Sequence, residues 1–161
     1  RTQQRAALVL PRRLEREAHM KAIIKSAGAV ASSVQLGSHT LVFDQPATVP
    51  GGGDLGPSPL DVLAATVGAC AHYFAAAFLQ ARKLSTEGLR VEVDAEKMRE
   101  PSPRFGKLSI HVVLPVGVPE HYLPQIERAV RNCPAYGTLV HPPDVELSVG
   151  KAFTDVDTPA A

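Results

Sequence analysis

The sequence predicts an α+β domain in which one long central helix packs on antiparallel sheet. Two observations predict this class. The longest apolar run, GPSPLDVLAATVGACAHYFAAAFLQARKL, covers residues 56 to 84. Apolar and polar residues alternate before and after this run, over residues 27 to 43, 88 to 96 and 105 to 114, as they do in half-buried strands. The predicted order is therefore hairpin, buried helix, hairpin, helix and strand.

The central helix has a well-marked beginning. Ser58 is suited to cap the first turn, Pro59 to occupy the first helical position, and Asp61 to complete a capping box. Nearly every side chain from Leu60 to Leu79 is apolar, so we expect the helix to be covered on most sides. Its length would also suffice to cross a bilayer. The polar, strand-like segments that follow favour a core helix instead.

The flanking segments predict the remaining elements. Residues 27 to 43 are typical of a hairpin that turns at Gly-Ser-His, residues 37 to 39. Residues 119 to 133 carry apolar residues at helical spacing and predict an amphipathic helix ending at Cys133, since Pro134 disfavours helix at the residue before it. VELSV, residues 145 to 149, predicts a last short strand.

Composition limits the function classes. A net charge of +1, 5% aromatic residues and no Trp argue against nucleic-acid binding. The only apolar run near the amino end is the short ALVL, and two cysteines do not make a secreted disulfide framework, so we expect a cytoplasmic protein. We expect a basic, loose extension over residues 1–25, one domain over residues 26–151, and a loose tail over residues 152–161.

Cys70 poses the chemical question. It lies in the middle of the helix, where the helix dipole acts little and apolar neighbours disfavour the thiolate, so reactivity requires a cation from elsewhere. His72 does not face Cys70 on a helix, and the histidines show no ligand spacing, so no metal site is expected. Cys133 lies at a helix end. The two sulfurs are either within disulfide range or belong to unrelated buried thiols, and spacing leaves both open.

One set of motifs resembles a known family. GGGDLGPSPLDVLAATVGAC, followed much later by RAVRNCPAYGTL and a closing strand, resembles the osmotically inducible protein C and organic hydroperoxide resistance (OsmC/Ohr) family. The likeness covers about residues 27 to 150. It rests on the Gly-Pro-Ser-Pro opening of the helix, on Cys70, and on the Cys-Pro motif at Cys133.

The resemblance implies antiparallel sheets around the central helix in an intertwined homodimer, with the thiol pocket at the subunit interface. It also implies a peroxidase that reduces organic or lipid hydroperoxides to alcohols without a cofactor. Cys70 would become a sulfenic acid, Cys133 would condense with it to an intrasubunit disulfide, and an external dithiol would reduce that disulfide.

The chain departs from the family pattern at three places. The hydroperoxidase branches have a Glu where Leu60 stands and an activating Arg in the first hairpin, where this chain has neither Arg nor Lys. Relatives also usually have a Ser where Tyr136 stands. Asp61 and Tyr136 are therefore the supporting candidates. These departures also keep an alternative open, a non-enzymatic dimer of the same fold that binds an apolar small molecule or partner, with structural cysteines.

Overall fold

The structure of the chain is a computed structural model that describes residues 20–150. It consists of two compact units that divide between Pro59 and Leu60. The first unit is a three-stranded antiparallel sheet with the order β1-β2-β3, whose strands are β1 (Ile23–Ser26), β2 (Ser32–Leu36) and β3 (His39–Phe43). The predicted hairpin is confirmed as β2 and β3. Strand β1 is an addition, and it begins inside the range assigned to the extension.

Asp44 organises the Gly/Pro-rich loop that follows β3. Its buried carboxylate accepts hydrogen bonds from the backbone N–H groups of Gln45 (2.7 Å), Gly53 (3.0 Å) and Leu55 (3.1 Å). These bonds hold the pKa of Asp44 below its ordinary value, the bond from Leu55 having the largest effect. One carboxylate thus satisfies three loop amides that would otherwise need other partners.

The second unit carries the long helix. Its elements are α1 (Pro59–Ala81), β4 (Arg90–Met98), β5 (Arg104–Val113), a single 3₁₀ turn (Glu120–Tyr122), α2 (Leu123–Arg131) and α3 (Pro134–Val140). Strands β4 and β5 form the predicted antiparallel hairpin, with Glu92 opposite His111. The core of the unit joins α1 to the strands and to α2 through Ala71, Ala75, Leu79, Leu89, Ile126 and Val130. The predicted α+β class with antiparallel sheets is confirmed.

One stripe of α1 is buried within this chain. Its members are Ala64, Val67, Gly68, Ala71, Ala75 and Leu79. Small residues let the helix approach the sheet closely, so that a Cβ atom on Gly68 would lie 2.6 Å from Cγ2 of Val93. Leu63 and Tyr73, on other faces, are exposed, so the expected cover on most sides is not supplied by residues 20–150. By length and composition alone α1 could cross a membrane, a test that core helices also pass.

The predicted helix over residues 119 to 133 is wrong in its extent. It is divided into the 3₁₀ turn and α2, which ends at Arg131, and a further helix, α3, begins at Pro134. The break has a local cause. Proline disfavours helical backbone at the preceding residue, and Cys133 is extended, with φ −61° and ψ 124°.

The predicted strand over residues 145 to 149 is also wrong. No strand forms there, and Val145, Leu147 and Val149 are exposed. The alternation of side chains is present, but a strand needs a hydrogen-bonding neighbour, and residues 20–150 offer this segment none.

The predictions of a loose extension and a loose tail fall mostly outside the described residues, since residues 1–19 and 151–161 are not described. The proposed domain boundaries therefore stay predictions.

Gly68→Ala tests the close approach of α1 to β4. The added methyl group would press on the stiff, β-branched Val93, so we expect a loss of about 1–3 kcal/mol in the free energy of unfolding. Gly137→Ala is the matched control, because a Cβ atom there meets nothing within 4 Å. Helix propensity alone should make that variant more stable by up to about 1 kcal/mol. Equal effects in urea denaturation would contradict the packing argument.

Asp44→Asn tests the carboxylate-centred loop. At neutral pH the amide places N–H donors among N–H donors, so we expect a lower Tm than in the wild type. Because the pKa of Asp44 is depressed below 3.8, its stabilising effect is complete above that value and is lost as the pH falls through the folded-state pKa. The difference in Tm between the wild type and Asp44→Asn should therefore shrink as the pH falls through the folded-state pKa of Asp44. The exposed Asp94→Asn serves as the control, and a pH-independent difference would refute the carboxylate's role.

Candidate redox site

Cys70 and Cys133 form a disulfide. It joins the middle of α1 to the residue just before α3. The two Cα atoms are 5.9 Å apart, although the residues are 63 positions apart in the sequence. Of the two arrangements that the sequence left open, the structure has the bonded one. Helix α1 supplies a rigid position for Cys70, and the break after α2 turns Cys133 toward it.

The two sulfurs differ in their surroundings. Cys133 is only 1% exposed, whereas Cys70 is partly exposed. Cys133 is also the N-cap of α3, and its Sγ accepts a hydrogen bond from the backbone N–H of Tyr136 at 3.4 Å. An N–H donor stabilises negative charge on sulfur and so offsets part of the cost of burying it. Cys70 is therefore the sulfur that an incoming molecule reaches.

Tyr136 is held in place by a chain of polar contacts. Its hydroxyl accepts a hydrogen bond from Nη1 of Arg131 at 2.9 Å. The same guanidinium donates to Oε1 of Glu127 from Nη2 at 2.8 Å and from Nε at 3.0 Å. These neighbours, Glu127 first, raise the pKa of Arg131. The contacts connect the last turn of α2 to α3 and hold the hydroxyl end of the Tyr136 side chain.

Two apolar clefts flank Tyr136. The first, here called the α2 cleft, has a volume of about 320 Å³ and is lined by Ile110, Val112, Leu114, Leu123, Ile126, Glu127, Val130, Arg131 and Tyr136. The second, here called the α1 cleft, has a volume of about 470 Å³, and its lining includes Leu60, Leu63, Leu108, Ile110, Tyr136 and Leu139. Both clefts are suited to apolar ligands.

The supporting candidates lie at different places. Tyr136 donates its backbone N–H to one of the sulfurs, as described. Asp61 lies in the first turn of α1, some nine residues from Cys70, or about 13 Å along the helix axis. Its carboxylate is paired with Nζ of Lys97 at 2.5 Å. Among residues 20–150, no group of three or more His, Cys, Asp or Glu residues is placed to hold a metal ion.

Arg131 is the residue that the sequence reasoning missed. Two signals pointed to it: its position two residues before Cys133, and the spacing of four residues from Glu127, which favours an ion pair on a helix. Its contact with Tyr136 depends on α3, a helix that begins at Pro134 and that the sequence analysis did not predict.

The fold and the site together define a class, an α+β protein with a disulfide between its long helix and a Cys-Pro motif. A model of the OsmC-like protein family matches residues 51–148, more than half of the chain. The chain belongs to this family. A Cys70–Cys133 disulfide in a member of the family fits a redox role.

Solved structures share the fold at low sequence identity. An OsmC-like protein from Mycoplasma pneumoniae is 16% identical, with a TM-score of 0.64, over 80% of this chain and 91% of that one. An organic hydroperoxide resistance protein OsmC from Legionella pneumophila is 18% identical, with a TM-score of 0.55, over 75% and 88%. An organic hydroperoxide resistance protein from Elizabethkingia anophelis is 21% identical, with a TM-score of 0.56, over 74% of this chain and 87% of that one. Comparison with curated proteins finds no match.

Reduction of the disulfide should lower the stability of the fold. Closing a loop of 63 residues lowers the conformational entropy of the unfolded chain. In the chain-entropy treatment this raises the free energy of unfolding by about 4 kcal/mol. We expect a loss of that order when urea denaturation is repeated with a reducing agent. The double variant Cys70→Ser/Cys133→Ser is the control and should respond to the reducing agent not at all. Equal stability of oxidised and reduced wild type would contradict the prediction.

Proposed function

We propose that the protein is a cysteine-dependent peroxidase that reduces organic or lipid hydroperoxides to alcohols. The observation that carries this proposal is the disulfide between a partly exposed Cys70 and a buried Cys133. Apolar clefts in the same unit support an organic substrate over hydrogen peroxide. The names of two similar structures, organic hydroperoxide resistance proteins, point the same way.

The first half-reaction takes place at Cys70, the accessible sulfur. Its thiolate attacks the terminal oxygen of the hydroperoxide, the O–O bond breaks, and the alkoxide leaves as the alcohol after taking up a proton. Cys70 then carries a sulfenic acid, and the substrate has gained two electrons from its sulfur. A thiolate at this position needs a stabilising cation. The first hairpin has neither Arg nor Lys, so the cation has to come from elsewhere in the fold or from a partner chain.

The second half-reaction uses Cys133. Its thiolate attacks Sγ of the sulfenic acid, the S–S bond forms, and the hydroxyl group leaves as water after taking up a proton. The Tyr136 N–H supports the Cys133 thiolate before this attack. An external dithiol then returns two electrons, restoring both thiols and leaving as its own disulfide.

We further propose that the chain works as a homodimer. Three apolar side chains, Val145, Leu147 and Val149, are 85%, 90% and 93% exposed and lie at alternate positions, as in a strand that awaits a neighbour. Tyr73 on α1 is also exposed. A second copy of the chain would cover both regions.

The dimer is tested by light scattering coupled to size-exclusion chromatography. We expect twice the chain mass for the wild type and a shift toward the single-chain mass for Leu147→Asp, because a charge cannot be buried unpaired in an interface. Glu146→Asp, which keeps the charge at the neighbouring position, should remain a dimer. A monomeric wild type at micromolar concentration would exclude this assembly.

The peroxidase is tested by counting free thiols. Reduced wild-type protein is treated with one equivalent of an organic hydroperoxide and compared with Cys70→Ser and Cys133→Ser. We expect the wild type to lose both thiols, Cys133→Ser to stop at a sulfenic acid, and Cys70→Ser to remain unreacted. In Cys133→Ser, labelling of Cys70 should be half-maximal at a pH below the free-thiol value of about 8.5.

Survival of both thiols would support the second candidate, a binding module of the same fold. The specific observation in its favour is Leu60, an apolar residue that lines the α1 cleft where the hydroperoxidase branches have a carboxylate. In that case the clefts hold an apolar ligand and the disulfide is structural.

A further inference from the structure

The α1 and α2 clefts lie along the same face of β5. Leu108 lines the α1 cleft, Val112 and Leu114 line the α2 cleft, and Ile110 lines both. Leu108, Ile110 and Val112 alternate along β5 and so point to the same side, and Leu114 continues this alternation just past the end of the strand. The two clefts therefore share one continuous apolar floor.

Tyr136 is the other side chain that lines both clefts. It comes from α3, whereas Ile110 comes from β5, so the two clefts meet between these elements. The ring is fixed there by the contacts of its hydroxyl with Arg131 and of Arg131 with Glu127. An aromatic ring held at the junction of two cavities limits what can pass from one to the other.

We infer that Tyr136 is a partition that sets the length of the alkyl chain the protein accepts. A chain seated in either cleft ends against the ring. Removing the ring would join the clefts into one trough over Leu108, Ile110, Val112 and Leu114. The ligands are alkyl hydroperoxides and their alcohol products. The inference rests on the proposed function only for the hydroperoxide group of the ligand. The limit on chain length is a property of the clefts and does not depend on catalysis.

The test uses straight-chain primary alcohols from butanol to decanol, titrated into the oxidised protein by calorimetry. In the wild type the dissociation constant should fall about fourfold with each methylene until the chain reaches the ring, and then stop falling. In Tyr136→Ala the fall should continue for about two methylenes or more, so that decanol binds about tenfold tighter or better than to the wild type.

Tyr136→Phe is the matched control, since it keeps the ring and loses only the hydroxyl. Its affinities should stop rising at the same chain length as in the wild type. Should Tyr136→Ala fail to fold, Tyr136→Leu shortens the partition while keeping an apolar contact, and a longer limiting chain is expected there too. A thermal melt and a free-thiol assay establish that each variant is folded and oxidised.

The same limiting chain length in the wild type and in the shortened variants would overturn the inference, and so would the absence of alcohol binding by all of them. Hydroperoxide turnover, measured separately, tests the proposed function. A protein that shows the Tyr136-dependent limit without turnover keeps the inference and loses the enzyme. Hydroperoxide turnover with the same limiting chain length in the wild type and in Tyr136→Ala would keep the proposed enzyme and refute the inference about Tyr136.

Discussion

The covalent link between Cys70 and Cys133 is the constraint on which the second unit depends. It holds the middle of α1 against the start of α3, across a sequence separation of 63 residues. The position of α3 in turn places Tyr136 between the clefts, and the polar contact with Arg131 ties α3 back to α2. A bond between two sulfurs thus also determines the shape of the two apolar clefts that Tyr136 lines.

Burial and charge divide the roles of the sulfurs. Cys133, at the N-cap of α3, has a backbone N–H donor and is almost completely buried, whereas Cys70, on α1, is partly exposed to incoming molecules. Neither property depends on which molecule reacts at the site. The same asymmetry would order the steps of any thiol exchange at this site, because an attacking thiolate must reach the sulfur that it attacks.

Much of the fold was predictable from local patterns. The apolar run of α1, the alternation in β4 and β5 and the turn before β3 are signals within short segments, and each produced the expected element. The pairing of Cys70 with Cys133 was a different matter. Spacing allowed it without requiring it, because the distance between two helices is a tertiary property. Family resemblance, not residue pattern, was what favoured the bond.

The remaining differences arise where neighbours decide the outcome. VELSV has the alternation of a strand, but no strand edge in the described part of the chain lies beside it. The contact of Arg131 with Tyr136 exists because the helix breaks before Pro134 and a new helix begins there. No periodicity encodes either fact.

The near-complete burial of Cys133 has one more consequence. A sulfur that water barely touches is also shielded from small-molecule oxidants and from glutathione. In the proposed reaction, irreversible oxidation of a sulfenic acid to sulfinic or sulfonic acid would therefore be concentrated on Cys70. Rapid formation of the disulfide with the buried Cys133 would then protect Cys70 from further oxidation.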